Sequence, residues 1–135
     1  CELLTAITIP NSIISIEDEA FCNCESLTVI TIPESVISIG VDAFCGCDSL
    51  AEIVVEEGNP VYDSRENCNA IIEKNTNTLI CGCQNTIIPD SVTCIGDRAF
   101  YQYRKNCPHI YYEDFSFCFG LLQKCGFPYK ALRFL

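Results

Sequence analysis

The strongest constraint on the fold is a stretch of 23 residues that occurs twice in succession. Residues 1–23 read CELLTAITIPNSIISIEDEAFCN and residues 24–46 read CESLTVITIPESVISIGVDAFCG, with 15 of the 23 positions identical. A third copy starts at Cys47 and soon departs from the pattern, which returns in NTIIPDSVTCIGDRAF at 85–100. A fixed period of about 20 to 29 residues is typical of leucine-rich-type solenoids. The sequence therefore predicts a β-rich solenoid of stacked coils.

Apolar residues recur at fixed places in the period and indicate the buried side of each coil. In LTVITIP, Ile30 and Ile32 alternate with Thr31, the period of two expected of a strand. One coil alone leaves its apolar edge uncovered, so we expect successive coils to stack, with strands paired in parallel about 4.8 Å apart. The recurring apolar sets are Leu4, Leu27 and Leu50, then Ile7, Ile30 and Ile53, and then Ile9, Ile32 and Val55.

The rest of each coil is predicted from its turn residues. Gly40 and Gly96 are expected to permit the exit turn after a second short apolar segment, SVISIG in the second copy. Ala43 and Phe44 are expected to fill the corner that follows. A proline lacks the donor that a ladder needs and should end each strand, and these prolines are Pro10, Pro33 and Pro89.

The irregular unit between the second copy and residue 85 contains a predicted β-hairpin. Its segments NAIIEK (69–74) and TLICGC (78–83) flank the turn-rich stretch NTN. Insertions in repeat proteins often carry interaction loops. The alternative interpretation, which the packing argument favours, is a longer rung that packs on the stack.

A change of composition predicts a domain boundary near residue 101. Residues 1–100 hold 16 acidic and 3 basic side chains, whereas residues 101–135 hold 2 acidic and 5 basic ones. We therefore assign 1–102 to the repeat array and 103–135 to a non-repeat tail. Helical spacing of apolar residues predicts a helix over 113–125, so the tail is either a cap on the last coil or a disordered end.

Charge and hydropathy exclude two classes of partner. The formal net charge of −10 argues against nucleic acid, because binding to phosphates needs clustered Lys and Arg. No apolar run approaches the roughly 20 residues of a membrane span. The chain contains no Met, and we expect it to be a piece of a longer array.

Twelve cysteines raise the question of a metal site or of disulfides. Zinc prefers four ligands in a tetrahedron, usually spaced Cys-x2-4-Cys, whereas stacked coils would present ladders of thiols. Neighbouring coils lie inside the Cα window for a disulfide. We predict no metal and mostly buried, reduced thiols, with disulfides as the alternative for an extracellular protein. Three Cys-x-Cys pairs are present, at Cys22 and Cys24, at Cys45 and Cys47, and at Cys81 and Cys83.

No pattern in the sequence predicts catalysis or a cofactor. His109 is the only histidine, and a Cys–His pair would need it beside an activated thiol. Glu56 and Glu57 are adjacent in a turn and are interpreted as a solvated face. No Gly-rich phosphate loop and no Asp-rich calcium loop are present. We predict a protein that is not an enzyme and assign no catalytic, metal-binding or cofactor-binding residue.

The segment LTVITIPESVISIGVDAFCGC resembles the BspA-like leucine-rich repeat, and the resemblance extends over residues 1–100, including the extended unit. It implies a secreted or cell-surface protein with a role in adhesion to host or neighbouring cells. The chain departs from the usual repeat by carrying extra cysteines. These are Cys22, Cys45, Cys81 and Cys94.

Two functions remain open at this point. The chain is either a module that binds a protein or a glycan, or a structural spacer in a surface stalk whose binding site lies elsewhere in the parent protein. The strand positions expected to face outward are Thr8, Thr31 and Val54, which are small. Binding hot spots favour Tyr, Trp and Arg, so these strands offer weak support for binding, and no ligand-binding residue is assigned.

Overall fold

The computed structural model describes residues 3–96 and 98–100 of the 135-residue chain. Nine short β-strands and one 3-10 turn, Arg65–Asn67, make up its regular structure, and these residues contain no α-helix. Two ladders connect repeats in parallel, and a four-stranded mixed sheet follows them. The strands are β1 (Ala6–Thr8), β2 (Ser15–Ile16), β3 (Val29–Ile32), β4 (Ser38–Ile39), β5 (Glu52–Val55), β6 (Tyr62–Asp63), β7 (Ala70–Glu73), β8 (Thr78–Gly82) and β9 (Cys94–Ile95).

The first ladder joins equivalent strands of three successive repeats in the order β1-β3-β5. Its register places Ile7 beside Ile30 and Ile30 beside Ile53, an offset of 23 residues at each step. Ile30 and Ile53 are each 1% exposed, whereas Ile7 at the edge is half-buried. The predicted parallel pairing and inward positions are confirmed. Thr31 is half-buried rather than exposed, because its strand lies between two others.

The second ladder lies after the proline turn and pairs β2 with β4 in the same 23-residue register. The chain then turns through a corner where the backbone of one repeat bonds to the next. The N–H of Phe21 donates to the carbonyl of Ala43 at 2.8 Å, and the N–H of Asn23 donates to that of Cys45 at 2.7 Å. The rings of Phe21 and Phe44 stack with centroids 5.4 Å apart. Ala43 and Phe44 are buried, as the prediction for the corner required.

A left-handed backbone residue, rather than the expected glycine, makes the exit turn. Glu19, Asp42 and Arg98 occupy equivalent places in three repeats and have φ values of 55°, 55° and 58°. Gly40 does not have a positive φ, so the prediction for its role is wrong. A Cβ on Gly40 would instead collide with the backbone nitrogen of Asp18, so close contact between neighbouring repeats requires glycine there.

The extended unit forms the mixed sheet, with strand order β6-β7-β8-β9. The hairpin of β7 and β8 is antiparallel, as predicted, and β6 adds to it in antiparallel fashion. β9 belongs to the last repeat and pairs in parallel with β8 instead of with an earlier repeat. The hairpin packs on the stack, since Ile71 and Cys81 belong to the same core as the first two repeats.

The hydrophobic core is divided into two clusters. The larger runs from Ile9 through the regular repeats to the hairpin, and the smaller joins β7, β8 and the last repeat through Ile72, Leu79 and Ile95. The segment between β8 and Pro89 contains no strand, so the prediction that each copy has a strand ending at its proline is wrong for the fourth copy. The backbone N–H of Ile87 bonds to Cys68 of the extended unit, which occupies the place of a neighbouring coil. The predicted tail, including its helix over 113–125, lies outside the described residues.

Candidate binding cleft beside the extended repeat

A cleft of about 360 Å³ lies between the corner of the second repeat and the mixed sheet. Residues 39–45 form one wall, and Tyr62, Glu73 and Ile80 are on the other. The volume falls at the lower end of the range of about 300 to 1,000 Å³ that small-molecule pockets occupy. We refer to this space as the corner cleft.

The corner cleft exists because one corner is missing from the stack. The first corner rests on the second through three backbone hydrogen bonds, of which the bond from Glu19 to Val41 is 3.0 Å long. The extended unit has no Ala-Phe pair between Phe44 and Ala99. The last corner packs instead on the end of the hairpin, where the N–H of Gly82 donates to Ala99 at 2.8 Å. The second corner therefore faces a gap rather than a third corner.

The cleft has an apolar wall with an exposed rim. Ile39 and Ile80 are half-buried, and Val41 at the rim has 68% of its surface exposed. A single exposed apolar side chain is ordinary on a protein surface, so Val41 matters here only because it lines a concave surface that a ligand can enter.

Charged groups lie across the mouth of the cleft. Arg98 donates to Asp42 in an ion pair between residues 56 positions apart, and both side chains project from the left-handed corner position. Glu73 lines the opposite wall and accepts a hydrogen bond from Thr76 at 2.6 Å. The Arg98 side chain is 54% exposed and that of Asp42 only 14%, so the pair offers a ligand mainly the cation.

Tyr62 closes the inner end of the cleft. Its phenol oxygen accepts a hydrogen bond from the backbone N–H of Ile39 at 3.1 Å and so links the extended unit to β4. Burial raises the pKa of Tyr62, although the bond from Ile39 acts in the opposite direction. Tyr62 therefore acts as a neutral, rigid boundary of the cleft.

The cysteines form ladders, as the repeat spacing predicts. Cys24 and Cys47 are fully buried, and the thiol of Cys47 donates to the carbonyl of Phe21 at 3.1 Å. Cys22 and Cys45 are half-exposed. Burial raises the pKa of Cys47 to about 12, and burial followed by the proximity of Cys22 raises the pKa of Cys45 to about 11. Within residues 3–96 and 98–100, no group of three or more His, Cys, Asp or Glu side chains is placed to hold a metal ion.

The remaining candidates from the sequence do not meet in a site. Glu56 accepts a hydrogen bond from the N–H of Glu34 at 2.9 Å, and Glu57 is exposed beside it. His109 lies outside the described residues. Sequence reasoning missed the corner cleft, although the absence of an Ala-Phe pair from the extended unit was the signal that could have indicated it.

The sequence profile of the BspA type leucine rich repeat region matches residues 1–68 and 70–110, with six copies. This chain belongs to that family. The match includes the extended unit as well as the regular copies, and the boundary of the array at residue 102 stays a prediction.

Two solved structures resemble this BspA-type chain. One is a leucine rich cell surface protein from Faecalibacterium prausnitzii A2-165, with 32% identity and a TM-score of 0.58, covering 70% of this chain and 26% of that protein. The other is the pneumococcal vaccine antigen PcpA, with 26% identity and a TM-score of 0.54, covering 64% of this chain and 22% of that protein. The chain thus spans about a quarter of the length of each.

A comparison of this BspA-type chain with curated proteins gave no match. In the part of the chain that the structure describes, no helix has the length and apolar character needed to cross a bilayer.

Proposed function

We propose that this chain is a segment of a leucine-rich-repeat solenoid, secreted or exposed on a cell surface, that acts as a non-enzymatic module for binding a protein or a glycan. Membership of the BspA-type family supports the repeat architecture. The similarity to a leucine rich cell surface protein supports the location. Adhesion to host or neighbouring cells is the role that we infer for the parent protein.

The corner cleft is the observation that carries the binding proposal. A regular stack presents the same small residues at every coil, so it offers a ligand no unique place. The extended unit interrupts this regularity and creates one concave site with an apolar wall, an exposed Val41 and the Asp42–Arg98 pair. Concavity, apolar surface and a few fixed polar groups are what a recognition site needs.

The chemistry of the cleft supports a role in binding rather than catalysis. Cys45 lines the cleft and is the half-exposed thiol there, but its pKa of about 11 keeps it protonated near neutral pH. Nucleophilic cysteines have a lowered pKa because a base or a positive charge stabilises the thiolate. The cleft lining contains no histidine among the described residues.

A spacer in a surface stalk is the second candidate function. The small outward residues Thr8 and Thr31 on the first ladder favour it, because they give no anchor for a partner. In this case the corner cleft is only the result of inserting a hairpin into a stack.

A binding screen distinguishes the two functions. The full chain would be immobilised and tested against a glycan array and a phage-displayed library of random peptides. We expect enriched ligands whose binding falls at least tenfold in Val41→Arg, which blocks the cleft. The matched control is Ile14→Arg, since Ile14 is 63% exposed and lies outside the cleft.

The screen has two results that contradict the cleft proposal. Ligands that bind Val41→Arg as well as they bind the wild type would place recognition elsewhere on the surface. No enrichment on either library would favour the spacer function.

A further inference from the structure

Two half-exposed cysteines face one another at the first two corners. The backbone bonds from Phe21 to Ala43 and from Asn23 to Cys45 set the register of the corners. Together with the 23-residue offset of the ladders on the same repeats, these bonds place Cys22 next to Cys45. The stacked rings of Phe21 and Phe44, with an interplanar angle of 5°, confirm the same register at the preceding position.

The spacing and contact of these side chains suit a covalent bond. Cys22 and Cys45 lie in turns, but direct backbone hydrogen bonds join the two corners as they join neighbouring strands. Strands joined in this way lie about 4.8 Å apart, which is inside the window of about 4.4 to 6.8 Å for the Cα atoms of a disulfide. The proximity of Cys22 contributes, after burial, to the raised pKa of Cys45. The backbone register and this mutual influence both place the two thiols close to each other.

A second pair in the same register shows what is distinctive about the first. Cys24 and Cys47 also occupy equivalent positions, but both are 0% exposed, and the thiol of Cys47 bonds to the carbonyl of Phe21. A reagent in solution cannot reach them without unfolding the corner. Cys22 and Cys45 are each partly open to solvent. Packing in the core explains why cysteine occupies positions 24 and 47, but it does not explain the half-exposed cysteines at positions 22 and 45.

We propose that Cys22 and Cys45 are a redox site that forms a disulfide between neighbouring repeats, by exchange with a low-molecular-weight disulfide. The Cys22 thiol loses its proton to solvent, and its thiolate attacks one sulfur of the external disulfide and releases one thiol. Cys45 then loses its proton and attacks the Cys22 sulfur of the mixed disulfide, releasing the second thiol. Two cysteine thiols are oxidised, and one external disulfide is reduced to two thiols.

This bond would lock the first corner onto the second. The closed loop contains about 23 residues, and a loop of this size restricts the unfolded chain substantially. We expect the oxidised protein to melt roughly 5 to 10 °C above the reduced protein. The test of this disulfide is independent of the proposed ligand cleft, because disulfide formation is measured without any ligand.

The experiment uses the full chain, reduced and then treated with oxidised glutathione at pH 8.5, blocked with iodoacetamide and digested with a protease that cuts after Glu. We expect linkage of peptide 20–25 to peptide 35–52, with the loss of two hydrogens and fragment ions that assign the bond to Cys22 and Cys45. Cys45→Ser should stop at a glutathione adduct on Cys22. Cys24→Ala is the matched control and should keep the linkage.

Two results with the wild-type protein would overturn the proposal, and neither depends on the folding of a variant. The first is a digest without a linked pair of these peptides, including the case in which the glutathione adduct stays on Cys22. The second is a linked pair whose fragment ions place the bond at Cys24 or Cys47.

Discussion

The regular repeats and the extended unit reach a folded state by different means. In residues 3–46, each coil bonds to a copy of itself, so one set of contacts recurs every 23 residues. In residues 59–83, the chain leaves the coil and is held by individual polar contacts that occur once. The comparison indicates that a repeat array can accept an irregular insert when the insert supplies its own hydrogen-bond partners.

Asn59 is the clearest of these single contacts. Its side chain is fully buried, and its amide nitrogen donates to the carbonyls of Pro33 and Val36 at 2.8 Å each. Its amide oxygen accepts from the N–H groups of Val61 and Tyr62 at 2.9 and 2.8 Å. One side chain therefore satisfies four backbone groups and attaches the extended unit to the turn of the second repeat.

Arg65 has the corresponding role at the hairpin. Its guanidinium makes two bonds to Asp63, at 2.8 and 2.9 Å, and further bonds to Asn77 in the hairpin turn and Ser91 in the last repeat. The bond to Asp63 raises the pKa of Arg65, and partial burial acts in the opposite direction. The hairpin turn is thereby connected to residues before and after it.

The largest effect is expected in the regular part. Ile32→Asp places an unpaired carboxylate at a fully buried position of the central strand, so we expect loss of more than about 4 kcal/mol and an unfolded chain. Circular dichroism melting measures it. The control is Ile37→Asp, because Ile37 is 53% exposed and should tolerate the charge. Wild-type melting of Ile32→Asp would contradict the register.

The next largest loss of stability is expected in the extended unit. Asn59→Ala leaves four backbone groups without their partner, and we expect a loss of roughly 2 to 4 kcal/mol in urea unfolding. The control is Asn85→Ala, because Asn85 is exposed and its side chain, among the described residues, donates to the carbonyl of Ala51 at 3.1 Å and to no other group. Equal losses in the two variants would show that Asn59 does not hold the unit in place.

The dependence of stability on alkaline pH compares buried thiols of the two regions. The pKa is raised by burial to about 12 for Cys47 in the regular part and to about 11 for Cys68 in the extended unit. Unfolded thiols ionise near pH 8.5, so the unfolded state binds fewer protons above that pH and stability falls as pH rises. We expect the melting temperature to fall by roughly 10 to 15 °C between pH 8.5 and 10.5, because each of the two thiols then costs about 2 kcal/mol.

Single variants assign this pH dependence to the two regions. Cys47→Ala and Cys68→Ala should each remove a comparable part of the slope, because both folded thiols have pKa values above pH 10.5. A flat profile over this range in the wild type would show that the thiols stay accessible to solvent.

The smallest effect is expected from metal removal. We predict that EDTA leaves the circular dichroism spectrum and the melting temperature unchanged, because each coil closes through apolar packing and backbone bonds rather than through a metal. Loss of secondary structure in EDTA, restored by zinc, would contradict this prediction.

The fold of the regular part was predictable because neighbouring repeats of similar sequence place equivalent residues side by side. The spacing of Ile7, Ile30 and Ile53 was sufficient to predict parallel strands and their inward faces. The same sequence nevertheless gives different burial at the two corner phenylalanines. Phe44 is 3% exposed and Phe21 is only partly buried, because burial depends on what lies on each side of a coil.

The extended unit was predictable only in part. The hairpin followed from its turn residues, whereas the pairing of β8 with β9 did not, because no repeated sequence relates the two strands. The candidate cleft depends on the same topology. Asp42 and Arg98 come together over 56 positions only after the hairpin has displaced the last repeat, and no local pattern encodes that distance.

The recurring backbone bonds have a consequence for how such a chain can change its length. The N–H of Thr28 donates to the carbonyl of Thr5, and the N–H of Ala51 donates to that of Thr28, both at 2.9 Å. At this position of the repeat, each donor thus meets an equivalent acceptor one unit away. Duplication or deletion of one whole unit within the regular part would leave these bonds with equivalent partners. The number of units in this stretch can therefore change during evolution in steps of one unit. Asn59 restricts such changes next to the extended unit, because its side chain bonds to the carbonyls of Pro33 and Val36 in the second repeat.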